Sequence, residues 1–204
     1  MNQERKFKRG NYTKQPLDWQ PVLDHIRSRV FDQELQLFAA TALVAAPRVG
    51  EIINMRVKDV TGEYILIEKT KCRMRHGVKV DKYRQVVKPQ WYDDMLRSFL
   101  RATKRSGTDF LFQNTRVKSA GQLTRQGANY RVSMIFRGSG IDLNGQLPTM
   151  HTFRKTCANF LYENSGNDLS MPQRHLGHKS IANTAKYLNN SFHDYAERAK
   201  TLME

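Results

Sequence analysis

Four short patterns in this sequence combine arginine, histidine and tyrosine at spacings that suit the binding of an anion such as a phosphate. In chain order they are Arg48-Val49-Gly50-Glu51, His151-Thr152-Phe153-Arg154, Leu176-Gly177-His178, and Tyr187 nine residues after that last histidine. Two guanidinium groups can clamp a phosphate through paired hydrogen bonds, which lysine does less well. The two arginines are therefore candidate phosphate ligands.

The spacing within the first two patterns would bring side chains together. Arg48 and Glu51 are three residues apart, so they share a helix face if the segment is helical, and Glu51 could orient Arg48. His151 and Arg154 have the same spacing and could converge on one ligand. This second pair lies at a predicted helix start, where free backbone N–H groups and the helix dipole favour an anion.

Each of these residues also has an ordinary structural interpretation. Arg48 could simply pair with Glu51 on a surface helix. His151 could be a capping or core histidine, and His178 could cap a helix. Tyr187 is one of eight tyrosines and could belong to the core. The ordered set, rather than any single member, favours a functional site.

The charge of the chain favours a polyanionic partner. Lysine and arginine total 34 against 19 aspartates and glutamates, which gives a net charge of +15 over 204 residues. Nucleic acid is the commonest partner of such a protein, and the alternative is a basic ribosomal or merely soluble protein. Cys72 and Cys157 lack zinc-site spacing, which favours reduced thiols in a cytoplasm. No signal peptide or apolar run of about 18 residues is present, so we expect no membrane span.

Caps and turn residues predict a mainly α fold with a small antiparallel β-sheet. The predicted helices cover 18–30, 32 to the interruption at Pro47, 47–54, 89–103, 124–138, 152–163 and 180–188. We expect strands within 56–88, beginning at 64–67, and a short buried segment at 110–112. Tyr130, Met134 and Ile135 are the predicted apolar positions of the helix over 124–138.

The four patterns, in this order, resemble the tyrosine recombinase (phage integrase) family. Its members carry an Arg-x-x-Glu/Asp box, a strand lysine, a His-x-x-Arg box, a Leu-Gly-His box and a nucleophilic tyrosine. The resemblance covers roughly residues 18–195 and implies the α+β catalytic-domain fold of that family. The family usually has Gly-Leu before its first arginine, where this chain has Ala46-Pro47.

The resemblance implies a role for each matching residue in cutting and rejoining DNA. Tyr187 would attack the phosphorus to form a 3′-phosphotyrosine, and Arg48 and Arg154 would neutralise the developing charge. His151 would assist proton removal from the tyrosine. The remaining roles fall to His178 as a hydrogen-bond donor to the phosphate and Glu51 as a support for Arg48.

A lysine from the charged segment 69–76 would act as general acid to the 5′-oxygen. Lys71 is preferred because the family lysine tends to follow Thr or Ser near the hairpin turn, and Lys69 is the second choice. Arg73 and Arg75, together with Lys69, are predicted DNA-backbone contacts. The alternative is a solvated basic hairpin that touches phosphates and does no chemistry.

The resemblance also implies the partners and the domain organisation. We expect a flexible basic arm over 1–16 and a catalytic domain over 17–204, in a short form without the N-terminal core-binding domain, whose last residues 189–204 pack on a neighbouring subunit. Expected partners are double-stranded DNA, further copies of the chain in a tetramer on paired sites, and a host DNA-bending protein. No metal, other cofactor or membrane is expected, and the location would be the cytoplasm of a prokaryotic or phage-infected cell.

Other functions remain open at this point. The same chemistry would serve a telomere resolvase or a type IB topoisomerase-like enzyme. A non-catalytic DNA-binding relative that regulates a recombinase is a third interpretation. A metal nuclease has little support, since no carboxylate cluster of the kind that holds two magnesium ions appears.

Overall fold

Helix α2 lies at the centre of the protein because its sequence is apolar on every side. In the computed structural model it spans Gln33–Ala45, and every residue from Gln36 onward is buried. A helix with apolar residues all round is stable only inside a domain. Asp32 caps this helix as predicted, and its side chain accepts a hydrogen bond from Leu35 N at 2.9 Å.

The structure describes residues 16–28, 31–69, 73–75, 78–80, 83–114, 121–143, 145–185 and 187–188, with the backbone alone for 73–75 and 78–80. Its helices there are α1 Trp19–Arg27, α2 Gln33–Ala45, α3 Val49–Ile52, α4 Gln90–Thr103, α5 Arg125–Phe136, α6 Met150–Asn164, α7 Ser170–Leu176 and α8 Ile181–Ala185. Its strands there are β1 Tyr64–Glu68, β2 Arg73–Arg75, β3 Val78–Val80, β4 Tyr83–Val87, β5 Gln113–Asn114 and β6 Gly121–Gln122. None of the helices in these ranges combines the length and apolar character that a membrane span requires.

The core forms where four helices pack around α2. Helices α1, α4, α5 and α6 all contact it, and they contribute the fully buried side chains of Ile26, Phe99, Ile135 and Phe153. A second, smaller apolar cluster joins α6, α7 and the segment after α8. It consists of Ala46, Cys157, Ala158, Leu176 and Leu188, with Tyr187 packed against it. This smaller cluster supports the candidate site.

The strands pair as short antiparallel ribbons, which confirms the predicted small sheet. β1 pairs with β4, β2 with β3, and β5 with β6. In the β1–β4 pair, Ile65 lies opposite Val86 and Ile67 lies opposite Arg84. Alternate residues of a strand point to opposite faces, and Arg84 shares the buried face with these apolar residues.

Several predicted boundaries were wrong. Helix α1 ends at Arg27 rather than at 30, and α3 covers only Val49–Ile52 rather than 47–54 because Arg48 is still extended. Helix α8 ends at Ala185, since Tyr187 N and Leu188 N bond to carbonyls three residues back and close turns instead.

Three further features differ from the sequence expectations. Helix α7 and the β5–β6 hairpin were not predicted. Tyr130, predicted as an apolar position of α5, is 49% exposed. It lies on the opposite side of that helix from the buried Val132 and Ile135.

Candidate active site

Arg48 is positioned by a buried carboxylate at the start of α3. One oxygen of Glu51 accepts from Arg48 N at 2.8 Å, and the other lies 2.8 Å from Arg48 Nη1. The Arg48 side chain remains 44% exposed, whereas that of Glu51 is fully buried. The pair therefore forms through the helix cap rather than along a helix face, and it presents a guanidinium group at the surface.

Glu51 stays charged despite its burial. Burial alone would raise the pKa of this carboxyl, but the hydrogen bond from Arg48 N and the positive charges of Arg84 and Arg48 outweigh it. The pKa of Glu51 consequently lies below its ordinary value. A charged carboxylate at this point can hold two guanidinium groups in place.

A left-handed residue between α2 and α3 aims its carbonyl at two buried arginines. Ala46 has φ 45° and ψ 48°, a conformation that costs a residue with a Cβ about 1–2 kcal/mol. Its carbonyl oxygen accepts from Arg84 Nη2 at 3.2 Å and from Arg154 Nη1. The carbonyl of this strained turn, directly before the first arginine pattern, thus binds Arg154 of the second pattern.

Arg154 joins the second pattern to the third. It lies in α6, whose start is capped by Thr149 through a hydrogen bond from His151 N at 3.1 Å. The Arg154 side chain is almost completely buried. Its Nη2 donates to Leu176 O at 2.6 Å and lies 3.1 Å from His178 Nε2.

The ring of Tyr187 packs between two histidines. Its centroid lies 4.8 Å from that of His151 and 4.9 Å from that of His178. The guanidinium carbon of Arg154 is 5.8 Å from the centre of the same ring. The structure therefore brings these four side chains into one cluster, within a single chain.

Both histidines of this cluster are neutral at pH 7. Desolvation, followed by the charges of Arg154 and Arg48, lowers the pKa of His178 to about 4. Desolvation of the ring, followed by the charges of Lys155 and Arg154, also lowers the pKa of His151. A neutral imidazole can accept a proton, so each ring is a potential base.

All of these residues fall within one match to a family model. The model describes the phage integrase family, and it matches residues 18–194. The chain belongs to the phage integrase family. The "SPbeta prophage-derived probable integrase/recombinase YopP" of Bacillus subtilis (strain 168) is 26% identical over 163 residues, 76% of this chain and 39% of that protein. The integrase of Escherichia phage lambda is 28% identical over 160 residues, 75% of this chain and 40% of that protein.

Solved structures of recombinases share the fold of this integrase-family chain. XerA recombinase matches with a TM-score of 0.71 at 21% identity, over 100% of this chain and 67% of that one. XerH site-specific recombinase bound to palindromic difH substrate matches with a TM-score of 0.72 at 23% identity, over 96% of this chain and 55% of that one. The expected catalytic-domain fold is confirmed. The chain spans about two fifths of the length of the curated relatives described above.

Arg84 is a buried arginine of this integrase-family site that sequence reasoning missed. Its Nη1 donates to His175 O, and its Nη2 donates to Ala45 O at 2.9 Å. The same Nη2 lies 3.6 Å from a carboxylate oxygen of Glu51. Desolvation, followed by the charge of Arg154, lowers the pKa of Arg84 to about 10, so it remains protonated at neutral pH. This one side chain connects α2, α3 and the end of α7.

The sequence of β4 carries no clear signal for the burial of Arg84. Along β4, Arg84 and Val86 are buried while Tyr83, Gln85 and Val87 are exposed. A charged residue in phase with the buried positions of a strand must find partners inside the protein. In the sequence, the opposite phase of β4 carries the apolar residues Tyr83 and Val87, so alternation alone predicts an exposed Arg84.

Of the two candidate lysines, the structure describes Lys69. Lys69 is half-buried, and its Cε would be 3.8 Å from a Cβ placed on Gly177. Lys71 lies outside the described residues. Arg73 and Arg75 belong to β2, and their side chains lie outside what the structure describes. Lys69 is therefore the hairpin lysine that the structure places beside the Leu-Gly-His turn.

Two predicted segments lie outside the described part of the chain. These are the basic arm, described only at residue 16, and the subunit-contact segment over 189–204.

Thr184 is the second residue that sequence reasoning missed. Its hydroxyl oxygen lies 3.0 Å from His178 Nδ1, and it is completely buried.

Proposed function

We propose that this protein is a site-specific DNA recombinase that cuts and rejoins DNA through a 3′-phosphotyrosine at Tyr187. The observation that carries the proposal is the packing of the Tyr187 ring against His151 and His178, 4.8 and 4.9 Å between ring centres, beside Arg154. A tyrosine in an ordinary core would not be surrounded by two imidazoles and a guanidinium group. Such a set supplies a nucleophile, proton carriers and charge stabilisation together.

The two arginines would bind the phosphate in different ways. Arg48 is partly exposed and held by Glu51, so it can reach a DNA backbone without losing its carboxylate partner. Arg154 is buried, and its Nε–H has no acceptor among the described residues. A buried donor without a partner costs about 1–3 kcal/mol, and stability lost in this way is typical of sites built for a ligand.

The proton of Tyr187 would pass to His151. The lowered pKa of His151 keeps its ring neutral at pH 7, as a base must be. The oxygen of Tyr187 then forms a bond to phosphorus while the bond to the 5′-oxygen of the next nucleotide breaks. Arg48 and Arg154 neutralise the charge that develops on the non-bridging oxygens.

The leaving 5′-oxygen needs a proton, which a hairpin lysine would donate. We propose Lys71 for this role, with Lys69 as the alternative because it lies beside Gly177. The reaction exchanges one phosphate ester for another, so rejoining needs no ATP. Guanidinium groups provide the charge that a metal ion supplies in other phosphoryl-transfer enzymes, so we propose metal-independent cleavage.

The proposed partners follow from the charge of the chain and from its relatives. Double-stranded DNA fits the net charge of +15, and Arg73 and Arg75 would contact its backbone. XerH and lambda integrase have been crystallised on DNA, the latter as a dimer.

We propose that several copies, a tetramer on paired sites, act with a host DNA-bending protein in the cytoplasm of a prokaryotic or phage-infected cell. The segment 189–204 would connect the subunits, and the arm over 1–16 would add non-specific contacts.

A covalent-capture experiment tests this function and identifies the DNA site at the same time. A library of nicked duplexes with randomised sequence 5′ of the nick is incubated with the wild-type protein, and DNA that survives denaturing washes on the protein is sequenced. Cleavage just upstream of a nick releases a short fragment, which prevents rejoining and traps the adduct. We expect one enriched sequence with wild-type protein, the same enrichment with excess EDTA, and none with Tyr187→Phe.

Three results would separate the alternatives. Adducts without sequence enrichment would indicate a topoisomerase-like enzyme instead. DNA retention that denaturant removes would indicate a non-catalytic DNA-binding protein. Cleavage that EDTA abolishes and magnesium restores would indicate a metal nuclease.

A further inference from the structure

Thr184 is bonded to two residues of the candidate site at once. Its hydroxyl oxygen lies 3.0 Å from His178 Nδ1, and its carbonyl accepts from Tyr187 N at 2.8 Å. The residue is completely buried on α8. The side chain of Thr184 thus bonds to the histidine, whereas its backbone carbonyl bonds to the tyrosine.

The hydrogen-bond partners of His178 determine which of its nitrogens carries the proton. Nε2 lies 3.1 Å from Arg154 Nη2, and a guanidinium group can only donate. Nε2 must therefore be an acceptor without a proton. Since the ring is neutral, its proton is on Nδ1, and this N–H donates to the hydroxyl oxygen of Thr184.

This arrangement is the wrong one for a bound phosphate. A phosphate oxygen only accepts, so His178 can donate to it through Nε2 only when that nitrogen carries the proton. In a neutral ring Nδ1 would then be an acceptor and would need a donor of its own. A hydroxyl group both donates and accepts, so Thr184 can bond Nδ1 in either state. A carboxylate would hold the proton on Nδ1, and a methyl group would satisfy neither state.

We propose that Thr184 is a positioning residue whose hydroxyl allows His178 to move its proton from Nδ1 to Nε2 when a DNA phosphate enters the site. Water carries the proton from one nitrogen to the other, and the charge of the ring does not change. Without DNA the ring accepts from Arg154, and with DNA it donates to the phosphate. The proposal rests on the proposed function, since it names the phosphate as the incoming acceptor.

The tautomer of His178 can be read directly by NMR. In protein labelled with ¹⁵N-histidine, long-range ¹H–¹⁵N spectra distinguish protonated from unprotonated ring nitrogens, and His178→Gln identifies the signals. We expect the Nδ1–H form in the free protein. In the Tyr187→Phe protein bound to the duplex enriched by covalent capture, we expect the Nε2–H form. An Nε2–H ring in the free protein, or an unchanged tautomer on that duplex, would overturn the proposal.

Two substitutions test the hydroxyl itself. Thr184→Val keeps the shape and the backbone bond to Tyr187 but removes the hydroxyl, and Thr184→Ser restores it. We expect valine to slow adduct formation by about tenfold, the equivalent of one hydrogen bond, with little change in DNA affinity. Serine retains the hydroxyl, so the rate of adduct formation should remain within about threefold of the wild-type rate.

A rate unchanged by valine, or serine as slow as valine, would refute the role of the hydroxyl. Thermal melting checks that each variant is folded, and Thr184→Ala replaces valine if the latter does not fold. The spectrum of the free protein needs neither DNA nor a variant at Thr184. It therefore separates failure of this proposal from failure of the proposed function, which would appear as wild-type protein that forms no adduct.

Discussion

Arg84 lies so close to Gly177 that residue 177 has no room for a side chain. A Cβ placed there would be 2.9 Å from Arg84 Cδ. The arginine cannot easily move, because its guanidinium group donates to carbonyls of Ala45, Ala46 and His175 inside the protein. Gly177 also has φ +64°, which favours glycine. The glycine of the Leu-Gly-His pattern is thus required both by its backbone and by the buried arginine beneath it.

Gly177→Ala should destabilise the protein more than the same change at Gly166. Gly166 has a similar φ of +68° but nothing within 4 Å of its Cβ position, so it measures the backbone strain alone, about 1 kcal/mol. We expect Gly177→Ala to cost about 1–3 kcal/mol in addition, since Arg84 must shift or lose partners. Urea denaturation of both variants measures the difference, and equal losses would show that the contact with Arg84 is unimportant.

Ala46→Gly should leave the free energy of unfolding nearly unchanged, although it removes a methyl group that is fully buried. Glycine relieves the left-handed strain, which favours the folded protein by about 1–2 kcal/mol. Its greater conformational freedom in the unfolded chain lowers stability by about 0.4–1 kcal/mol. Loss of the buried Ala46 methyl group costs about 0.8 kcal/mol more, so the three contributions nearly cancel, and the carbonyl that holds Arg84 and Arg154 stays in place. Ala45→Gly is the matched control, because Ala45 is the last residue of α2 and glycine there should destabilise. Both alanines are fully buried, so an Ala46→Gly protein as strongly destabilised as the Ala45→Gly protein would contradict the strain at this turn.

The sequence predicted those parts of the site that depend on neighbours along the chain. Arg48 and Glu51 lie within one turn, as do His151 and Arg154, so their spacing alone places them together. The left-handed conformation of Ala46 also occurs where family members usually carry glycine. Local spacing therefore located the four patterns, although the extended backbone of Arg48 and the early end of α8 were not foreseen.

The sequence could not predict the contacts that join the patterns to one another. Arg84 bonds to Ala45 and His175, which are 39 and 91 residues away. Such contacts depend on how β4 packs against α2 and α7, which no local pattern encodes. Thr184 is only six residues from His178, but its bond to the ring depends on the left-handed turn at Gly177.

Stability should fall between pH 7 and pH 5 because histidines of the site are held neutral, His175 and His178 most strongly. Desolvation, followed by the charge of Arg84, lowers the pKa of His175 to about 4, and the pKa of His178 is lowered to a similar value. The unfolded chain, with a histidine pKa near 6.5, binds protons in this range that the folded protein does not. Stability therefore decreases as pH falls, by about 2 kcal/mol for each histidine.

His175→Gln should remove about 2 kcal/mol of this loss between pH 7 and pH 5, whatever its effect on stability at pH 7. His175 is suited to the test because its Nε2 bonds to Val44 O at 2.9 Å, away from the Tyr187 ring. Urea denaturation of both proteins at pH 7, 6 and 5 provides the comparison. If the two slopes are the same, His175 is not held neutral in the folded protein.

Lys71→Ala should slow the cleavage of ordinary DNA by about a hundredfold or more, the usual effect of removing a general acid. DNA with sulfur in place of the 5′-bridging oxygen should be affected far less, since a thiolate leaves without a proton. Lys69→Ala is measured in parallel, because Lys69 is the lysine placed beside Gly177. Equal slowing on both DNAs removes a lysine from the role, and selective slowing by Lys69→Ala alone would transfer the role to Lys69.

The most direct test of the account is the identity of the residue that becomes attached to DNA. Wild-type protein trapped on the nicked duplex is digested with nuclease and protease, and mass spectrometry locates the nucleotide that remains on a peptide. The cluster of Tyr187 with His151, His178 and Arg154 predicts that the nucleotide is on Tyr187, joined through its 3′-phosphate. A nucleotide on Tyr195 or any other residue, or an adduct that still forms with Tyr187→Phe, would contradict the account.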